Sequence, residues 1–459
     1  MIIDISFSNF LSYKDRTTLS LVAGKIRKSP ERVYVHRNTR ILKCMSLFGN
    51  NASGKSNMIK AIDFIQSFVD NNQFPKKYEN SYFKLEDSCK NEPSSFVVTF
   101  FINKKTYIYG FRVSIYNQTL VDEWLYEINT NETKKLIYRM DYATDTFITD
   151  NYFSDSVSLA KLKTYGDDFS SKDCLFLSYI NDKKDKMYKE CPNLSILKSI
   201  FMSISYEINI HFPDDRFKIH PRYFETHVHK IAKILNALDV GITNVEMPII
   251  ALEDIKPKIP SKMVEDIKND LLQTKEDDKN SEPCITIRAI KNFYSFQLDK
   301  NDDLIIKTMR FSHDNKEHYF DLREESDGTT KLLDLVEILL NSKNNITYFF
   351  DEIERCLHPS LTIKFLELFS YLAKESNTQL IFTTHESRIL AVDILRRDEI
   401  SFVEKDKNGC SKISSLADKN LRSDKRIYQA FFEEKCNLHS TPNFDEKELL
   451  ELFSNKSGD

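Results

Sequence analysis

Gly49-Asn50-Asn51-Ala52-Ser53-Gly54-Lys55-Ser56 is the stretch of this chain whose residue types and spacing most directly imply chemistry. It fits G-x-x-x-x-G-K-[ST] in full. A loop of this kind turns backbone N–H groups inward around phosphate oxygens, and the helix behind it points its positive end at the same anion. Lys55 is expected to reach the β- and γ-phosphates and Ser56 to ligate magnesium, so the ligand expected is ATP with Mg2+. The chain has only nine glycines. Two of so costly a residue within one octet argue against a chance turn.

Three further constellations extend this chemistry. Ile346-Thr347-Tyr348-Phe349-Phe350-Asp351-Glu352 is an apolar strand ending in two carboxylates. Taken alone, such a pair reads as a solvated strand end. Beside a phosphate loop, Asp351 is placed to hold the metal and Glu352 to polarise the water that attacks the γ-phosphate. Leu380 to Thr384 is another apolar strand, and it ends in His385. A lone histidine there is an ordinary surface residue. Across one helix from the acidic pair, however, its strand can reach the same carboxyl edge, where the ring can bond the γ-phosphate. Glu325-Ser326-Asp327-Gly328-Thr329-Thr330 precedes a helix, and Ser326 there could be a plain N-cap. Ser326, Gly328 and Thr329 also supply a hydroxyl, a close-approach glycine and a free helix N-terminus, which together suit a second anion.

The elements that must position these groups follow from periodicity. Cys44 to Phe48 is a short apolar run ending at Gly49, as a buried strand would. From Lys55 onward, Met58, Ala61, Ile62, Ile65, Phe68 and Val69 recur at helical spacing. Phe96 to Ile102 and Tyr107 to Ile115 predict a hairpin across Asn103-Lys104-Lys105. The last third alternates strand and helix, with helices marked by Leu332 to Leu340 and Leu361 to Leu372, which implies a parallel sheet covered by helices. Residues 129–300 differ in character: rich in Lys, Asp and Ser, with helix-like patches and a charged tip at Lys275 to Pro283. The expected architecture is an α/β P-loop ATPase head (of ABC type, by the resemblance described below) with a mixed or parallel sheet and flanking helices, carrying a largely helical central insertion. The expected divisions are 1–128 (N-terminal lobe), 129–300 (insertion), 301–405 (C-terminal lobe) and 406–459 (C-terminal extension).

Composition sets limits. The 459 residues are 41% hydrophobic and 29% charged with a net charge of -4, an ordinary globular balance and not a basic nucleic-acid coat. No apolar run is long enough to span a membrane. Met1 to Phe10 lacks the pattern of a secretory signal. Eight cysteines without a Cys-x-x-Cys pair fit a reducing compartment, so a cytoplasmic protein is expected. His211, His220, His227 and His229 suggest a metal site, but His227 and His229 fall on opposite helix faces, which favours a solvated surface. Lysines cluster at 161–189, and Arg216, Lys218, Arg222, Lys230 and Lys233 form a second group. Interspersed Asp167, Asp168, Asp173, Asp182 and Asp185 dilute the first, leaving direct nucleic-acid binding uncertain.

In order along the chain, these elements resemble the ABC/SMC/RecF class of ATPases. More narrowly they resemble the RecF- and OLD-like "AAA family" ATPases of prokaryotic phage-defence and abortive-infection operons, including ATPase subunits of the PARIS, Septu and AbiL-type systems. The resemblance rests on Asn9 to Ser12, Asn51 to Asn57, Glu325 to Thr329, Asp351 to Pro359, Thr383 to His385, Leu395 to Ile400 and Val403 to Lys405. Asp327 departs from the glycine of transporter-type signatures, and neither Gln66 nor Gln118 convinces as a Q-loop glutamine. The residues beyond Lys405 are too few for the Toprim nuclease of OLD-type proteins, although Asp418, Asp424 and an acidic helix around Asp445 to Glu451 follow. The resemblance implies an ATP-hydrolysing switch that self-associates head to head. Its Ser326 region would touch the γ-phosphate held by the opposite copy. It would control a separate nuclease or toxin encoded nearby, in answer to a phage-derived trigger. The alternative reading is a RecF/SMC-like repair ATPase that binds DNA directly.

Overall fold

Continuous burial along three short strands sets the architecture, seen in a computed structural model that describes residues 1–129, 131–213, 223–277, 283–289, 292–313, 318–341, 345–392 and 394–418. Cys44–Phe48, Thr347–Phe350 and Gln379–Thr384 are buried at every residue, as strands covered on both faces must be. Met45, Leu47, Phe349, Ile381 and Val403 face one core. Cys44, Phe48, Tyr348, Phe350, Leu380, Phe382 and Phe402 face the other. The strands run in parallel in the order Ile208–His211, Thr347–Phe350, Gln379–Thr384, Cys44–Phe48 and Ile400–Lys405, with Ser411–Ser415 antiparallel at the edge. Helix Lys55–Asn71 covers the first face, and helices Asp327–Leu340 and Pro359–Leu372 cover the second.

A seven-stranded antiparallel sheet shares the first core. Its order is Thr146–Ile148, Lys134–Asp141, Thr119–Ile128, Lys105–Ser114, Ser94–Ile102, Ile2–Ser8 and Thr17–Ser20. The expected hairpin is its centre. Asn103 and Lys104 turn with φ of 51° and 65°, the left-handed pair that suits the twist of a two-residue connection. Phe64 of the loop helix stacks on Phe96 of this sheet at 4.6 Å. Gln379 joins the two sheets: its Oε1 accepts from Ile2 N at 2.7 Å, and its Nε2 donates to Ile2 O at 2.9 Å and Leu42 O at 3.1 Å. Glu123 pins the sheet from within. This fully buried carboxylate accepts from the hydroxyls of Tyr109, Tyr138 and Tyr142 and from the N–H groups of Phe176 and Leu177.

Helices predominate between 129 and 300, but strands tie that segment to the head at several points. Lys134–Asp141 and Thr146–Ile148 extend the antiparallel sheet, helices Ser156–Asp167 to Ser195–Ser205 pack into the first core, and Ile208–His211 edges the parallel sheet. A separate small core lies between helix Ser261–Asp277 and a four-stranded sheet formed by Ile249–Ile250, Cys284–Ala289, Asn292–Leu298 and Leu304–Thr308. The division expected at 300 therefore falls inside a hairpin, because Asn292–Leu298 pairs with Leu304–Thr308. The division at 405 does too, because Ser411–Ser415 completes the head's own sheet. The Lys275 to Pro283 tip lies partly outside the described residues. His220, Arg216, Lys218, Arg222, Asp424 and the acidic stretch Asp445 to Glu451 lie wholly outside them. Among the described residues, no helix is long and apolar enough to cross a membrane.

Candidate functional site

Gly49 and Gly54 let the loop close tightly over the end of Cys44–Phe48. A Cβ on Gly49 would collide with the Val403 carbonyl, and one on Gly54, whose φ is +112°, with the hydroxyls of Ser411 and Ser12. The loop's outer side is held by hydroxyl bonds. Ser411 Oγ donates to Ser53 O at 2.6 Å and lies 2.8 Å from Ser12 Oγ, which accepts from Asn57 Nδ2 at 2.8 Å. The Tyr13 hydroxyl donates to Gly54 O at 3.0 Å. Burial of the phenol pushes its pKa up, so this donor stays protonated. Asn50, Asn51 and Ala52 form the exposed crest, with Ala52 left-handed at φ 61°.

Lys55 is buried and donates to its own loop, to Gly49 O at 2.8 Å and Asn50 O at 3.0 Å, with His385 Nδ1 at 3.5 Å. Desolvation lowers its pKa to about 8, against the opposing pull of Asp351, Glu354 and Glu352. Three carboxylates thus act electrostatically on one cation at the mouth of the loop. Ser56, half-buried, is the second residue of helix Lys55–Asn71.

Parallel pairing brings the acidic pair and the histidine to the same edge, since Phe350 registers with Phe382 and Thr384 with Phe48. Asp351 is buried and accepts from Thr383 Oγ1 at 2.6 Å. Glu352 has a left-handed backbone at φ 52°, uncommon for a residue with a Cβ. Its N–H donates to that same Thr383 hydroxyl at 2.8 Å. One threonine therefore sets both acids, one through its side chain and the other through its backbone. His385 Nε2 stands 4.0 Å from Glu352 Oε1, and its backbone N–H donates to Glu354 Oε1 at 2.6 Å. Desolvation and Lys55 both lower the pKa of its ring, which favours the neutral form.

The Ser326 turn is built differently. Ser326 caps helix Asp327–Leu340: its Oγ accepts from Thr329 N at 3.0 Å and lies 3.0 Å from Thr329 Oγ1. Gly328 allows close approach to the Cys356 carbonyl, 3.0 Å from where a Cβ would stand. Glu325, buried, bonds His313 Nε2 at 2.7 Å. The bonds of Ser326 itself all fall within its first helical turn. The structure thus brings Lys55, Asp351, Glu352 and His385 together and gives Ser326, Gly328 and Thr329 a setting of their own.

Several other candidates resolve into structural roles. Gln66 donates to the carbonyls of Ile204 at 2.9 Å and Ile208 at 2.7 Å, holding the loop helix to the edge strand. Some lysines of the 161–189 group are matched within the fold. Lys161 pairs with Glu190 at 2.9 Å, and Lys184 lies 3.8 Å from the Tyr179 ring centroid. Thr383, Glu354, Ser12 and Ser411 escaped the sequence reading. The Ser12, Glu354 and Thr383 positions carried a signal, as parts of the motif matches, and Ser411 carried none. Among the described residues no group of three or more His, Cys, Asp or Glu side chains could by itself hold a metal. A hydroxyl-plus-carboxylate pair such as Ser56 and Asp351 suits magnesium, which keeps waters and takes phosphate oxygens as further ligands.

Two sheets joined in this way, one parallel with the phosphate loop at its carboxyl edge and one antiparallel, define an ABC-type P-loop ATPase head. Residues 44–158 and 201–391, more than half of the chain, match the family described as AAA domain, putative AbiEii toxin, Type IV TA system, and the chain belongs to that family. Among solved structures it is similar to an SmcHead bound to the C-winged helix domain of ScpA (15% identity, 90% of this chain and 97% of that one, TM-score 0.42). It is also similar to the SMC head domain from Thermotoga maritima (13%, 90% and 98%, TM-score 0.36). A third is the Smc head domain with an extended coiled coil bound to the C-terminal domain of ScpA derived from Pyrococcus furiosus (15%, 91% and 96%, TM-score 0.39). At these TM-scores the likeness adds nothing to what the chain's own sheets define. No curated protein matches the chain.

Proposed function

We propose that this protein binds ATP with magnesium between two copies of its head, hydrolyses it there, and uses the cycle to control a separate effector. The supporting observation is the convergence of Lys55, Asp351, Glu352 and His385 at one sheet edge. Lys55 would exchange its loop carbonyls for β- and γ-phosphate oxygens. Ser56 and Asp351 would hold magnesium, which offsets charge on the phosphates. Glu352 would orient the attacking water, and His385, neutral at its ring, would bond the γ-phosphate. Ser326, Gly328 and Thr329 of the second copy would close the site with a helix N-terminus, making the protein at least a dimer.

Membership of a family described by a putative toxin and a toxin–antitoxin system favours a defence role, with a nuclease or toxin as effector and a phage component as trigger. The seven described cysteines are free, which suits a cytoplasmic setting. The DNA-repair alternative has less support: among the described residues of the central segment, Lys161, Lys186 and Lys198 pair with acidic neighbours.

The reading is tested by Glu352→Gln, which keeps size and hydrogen bonding but removes the charge that polarises water. Turnover is expected to fall on the order of 100-fold or more with ATP binding retained, and analytical ultracentrifugation should record a longer-lived ATP-dependent dimer. Wild-type turnover in this variant would move catalysis away from Glu352. Lost ATP binding would make it a metal ligand instead.

A further inference from the structure

Glu354 is the carboxylate at the site to which the proposed reaction gives no part. It stands two residues past Glu352, in a turn closed by Arg355 N bonding Glu352 O at 3.0 Å and Leu357 N bonding Glu354 O at 2.8 Å. The turn is strapped to the neighbouring strand by Ile353 N, which donates to Thr383 O at 3.2 Å. It is bracketed by two left-handed residues, Glu352 at φ 52° and Cys356 at φ 64°. Non-glycine residues take that conformation at a cost and keep it where the surroundings over-determine it. The consequence is that the Glu354 side chain turns back toward the sheet edge.

There its Oε1 accepts the backbone N–H of His385 at 2.6 Å. Its Oε2 is buried with no hydrogen-bond partner among the described residues. A carboxylate oxygen left unbonded in such a place is costly, and native structures keep such groups mainly for a reason. The bond to His385 falls at the residue just past the end of strand Gln379–Thr384. Without it, the ring's place beside Lys55 rests on Thr384 and on the bond of Glu386 N to Thr384 Oγ1 at 3.0 Å.

We propose that Glu354 is a positioning residue that fixes the His385 ring at the phosphate end of the site by holding its backbone N–H, thereby tying the histidine to the same turn that aims Glu352. This rests on the ATPase reading above. Through it the two groups flanking the γ-phosphate move together: a displacement of the 352–357 turn carries both the water-orienting acid and the histidine. That turn also abuts Gly328, through the Cys356 carbonyl. Docking of a second copy at the Ser326 helix is therefore felt at one turn by both groups.

The test is a double-mutant cycle on the full-length chain, measuring kcat and, separately, ATP affinity by calorimetry. Glu354→Ala is expected to lower kcat on the order of 10-fold while ATP affinity changes by less than about 3-fold, because misplacing a group by an ångström costs turnover rather than binding. Glu354→Gln keeps an acceptor oxygen for the His385 N–H and is expected to stay within about 3-fold of the wild-type kcat. In a His385→Ala background, Glu354→Ala should add almost nothing, since its effect passes through the ring. If the two losses multiply, or if Gln is as impaired as Ala, the proposal is overturned. A wild-type chain without ATPase activity would instead overturn the underlying reading. A folded Gln variant keeps the test decisive where Ala fails to fold.

Discussion

The phosphate loop and the Ser326 helix are both proposed as anion-binding termini, yet the chain treats them in opposite ways. The loop is tied down by residues far away in sequence, Ser411, Ser12 and Tyr13, and by Lys55 bonding its own carbonyls. The Ser326 turn carries its own cap, with each bond of Ser326 inside one turn. A half-site completed within one chain needs its shape fixed before the ligand arrives. A half-site that serves a second chain needs only a preformed helix end and a glycine that allows close approach.

The first half of this comparison breaks if Lys55 is dispensable. Lys55→Ala should abolish productive ATP binding, a loss of at least about 100-fold, because it deletes the charge-assisted bond to the phosphates. Calorimetry with magnesium measures it, and wild-type affinity would remove the loop from the account. A smaller change sharpens the same half. Ser411→Ala deletes the donor to Ser53 O and should weaken ATP binding by about 3- to 10-fold, the worth of one hydrogen bond, with the Ser326 turn unaffected. An unchanged affinity would mean the loop is shaped without its outer brace.

The smallest effect is in protons. Lys55 has its pKa lowered to about 8 by desolvation, so the nucleotide-free site loses its charge as pH rises through about 8. Phosphate bound beside the ammonium raises that pKa, so binding above pH 8 should be accompanied by proton uptake. Calorimetry at pH 8.5 in buffers of different ionisation enthalpy reads this directly. Proton release, or none, would contradict the desolvated lysine.

What could be read in the sequence was local. Gly49 to Ser56, the Asp351-Glu352 strand end and the His385 strand end each declare themselves within a few residues, and alternation of strand and helix implied the parallel sheet. What could not be read depends on distant parts of the chain meeting. Ser411 reaches Ser53 across 358 positions and Gln379 reaches Ile2 across 377, and neither serine nor glutamine carries a local signal of such a role. The expected boundaries at 300 and 405 fell inside hairpins for the same reason. A turn and a strand composition look alike whether they close a domain or continue it. Thr383 lay within a quoted motif, but its bond to Asp351 follows from strand register, which composition does not disclose.

The composite site is tested most directly by mixing two dead variants. Ser326→Arg should leave ATP binding by the single chain nearly intact yet stop hydrolysis, and Lys55→Ala should stop both. A dimer with one of each contains one site with both defects and one with neither. An equal mixture should therefore recover about a quarter of wild-type activity, since half of randomly formed symmetric pairs are mixed and each has one sound site. A mixture that stays inactive while ultracentrifugation of differently labelled chains demonstrates mixed dimers would contradict a site shared between two heads.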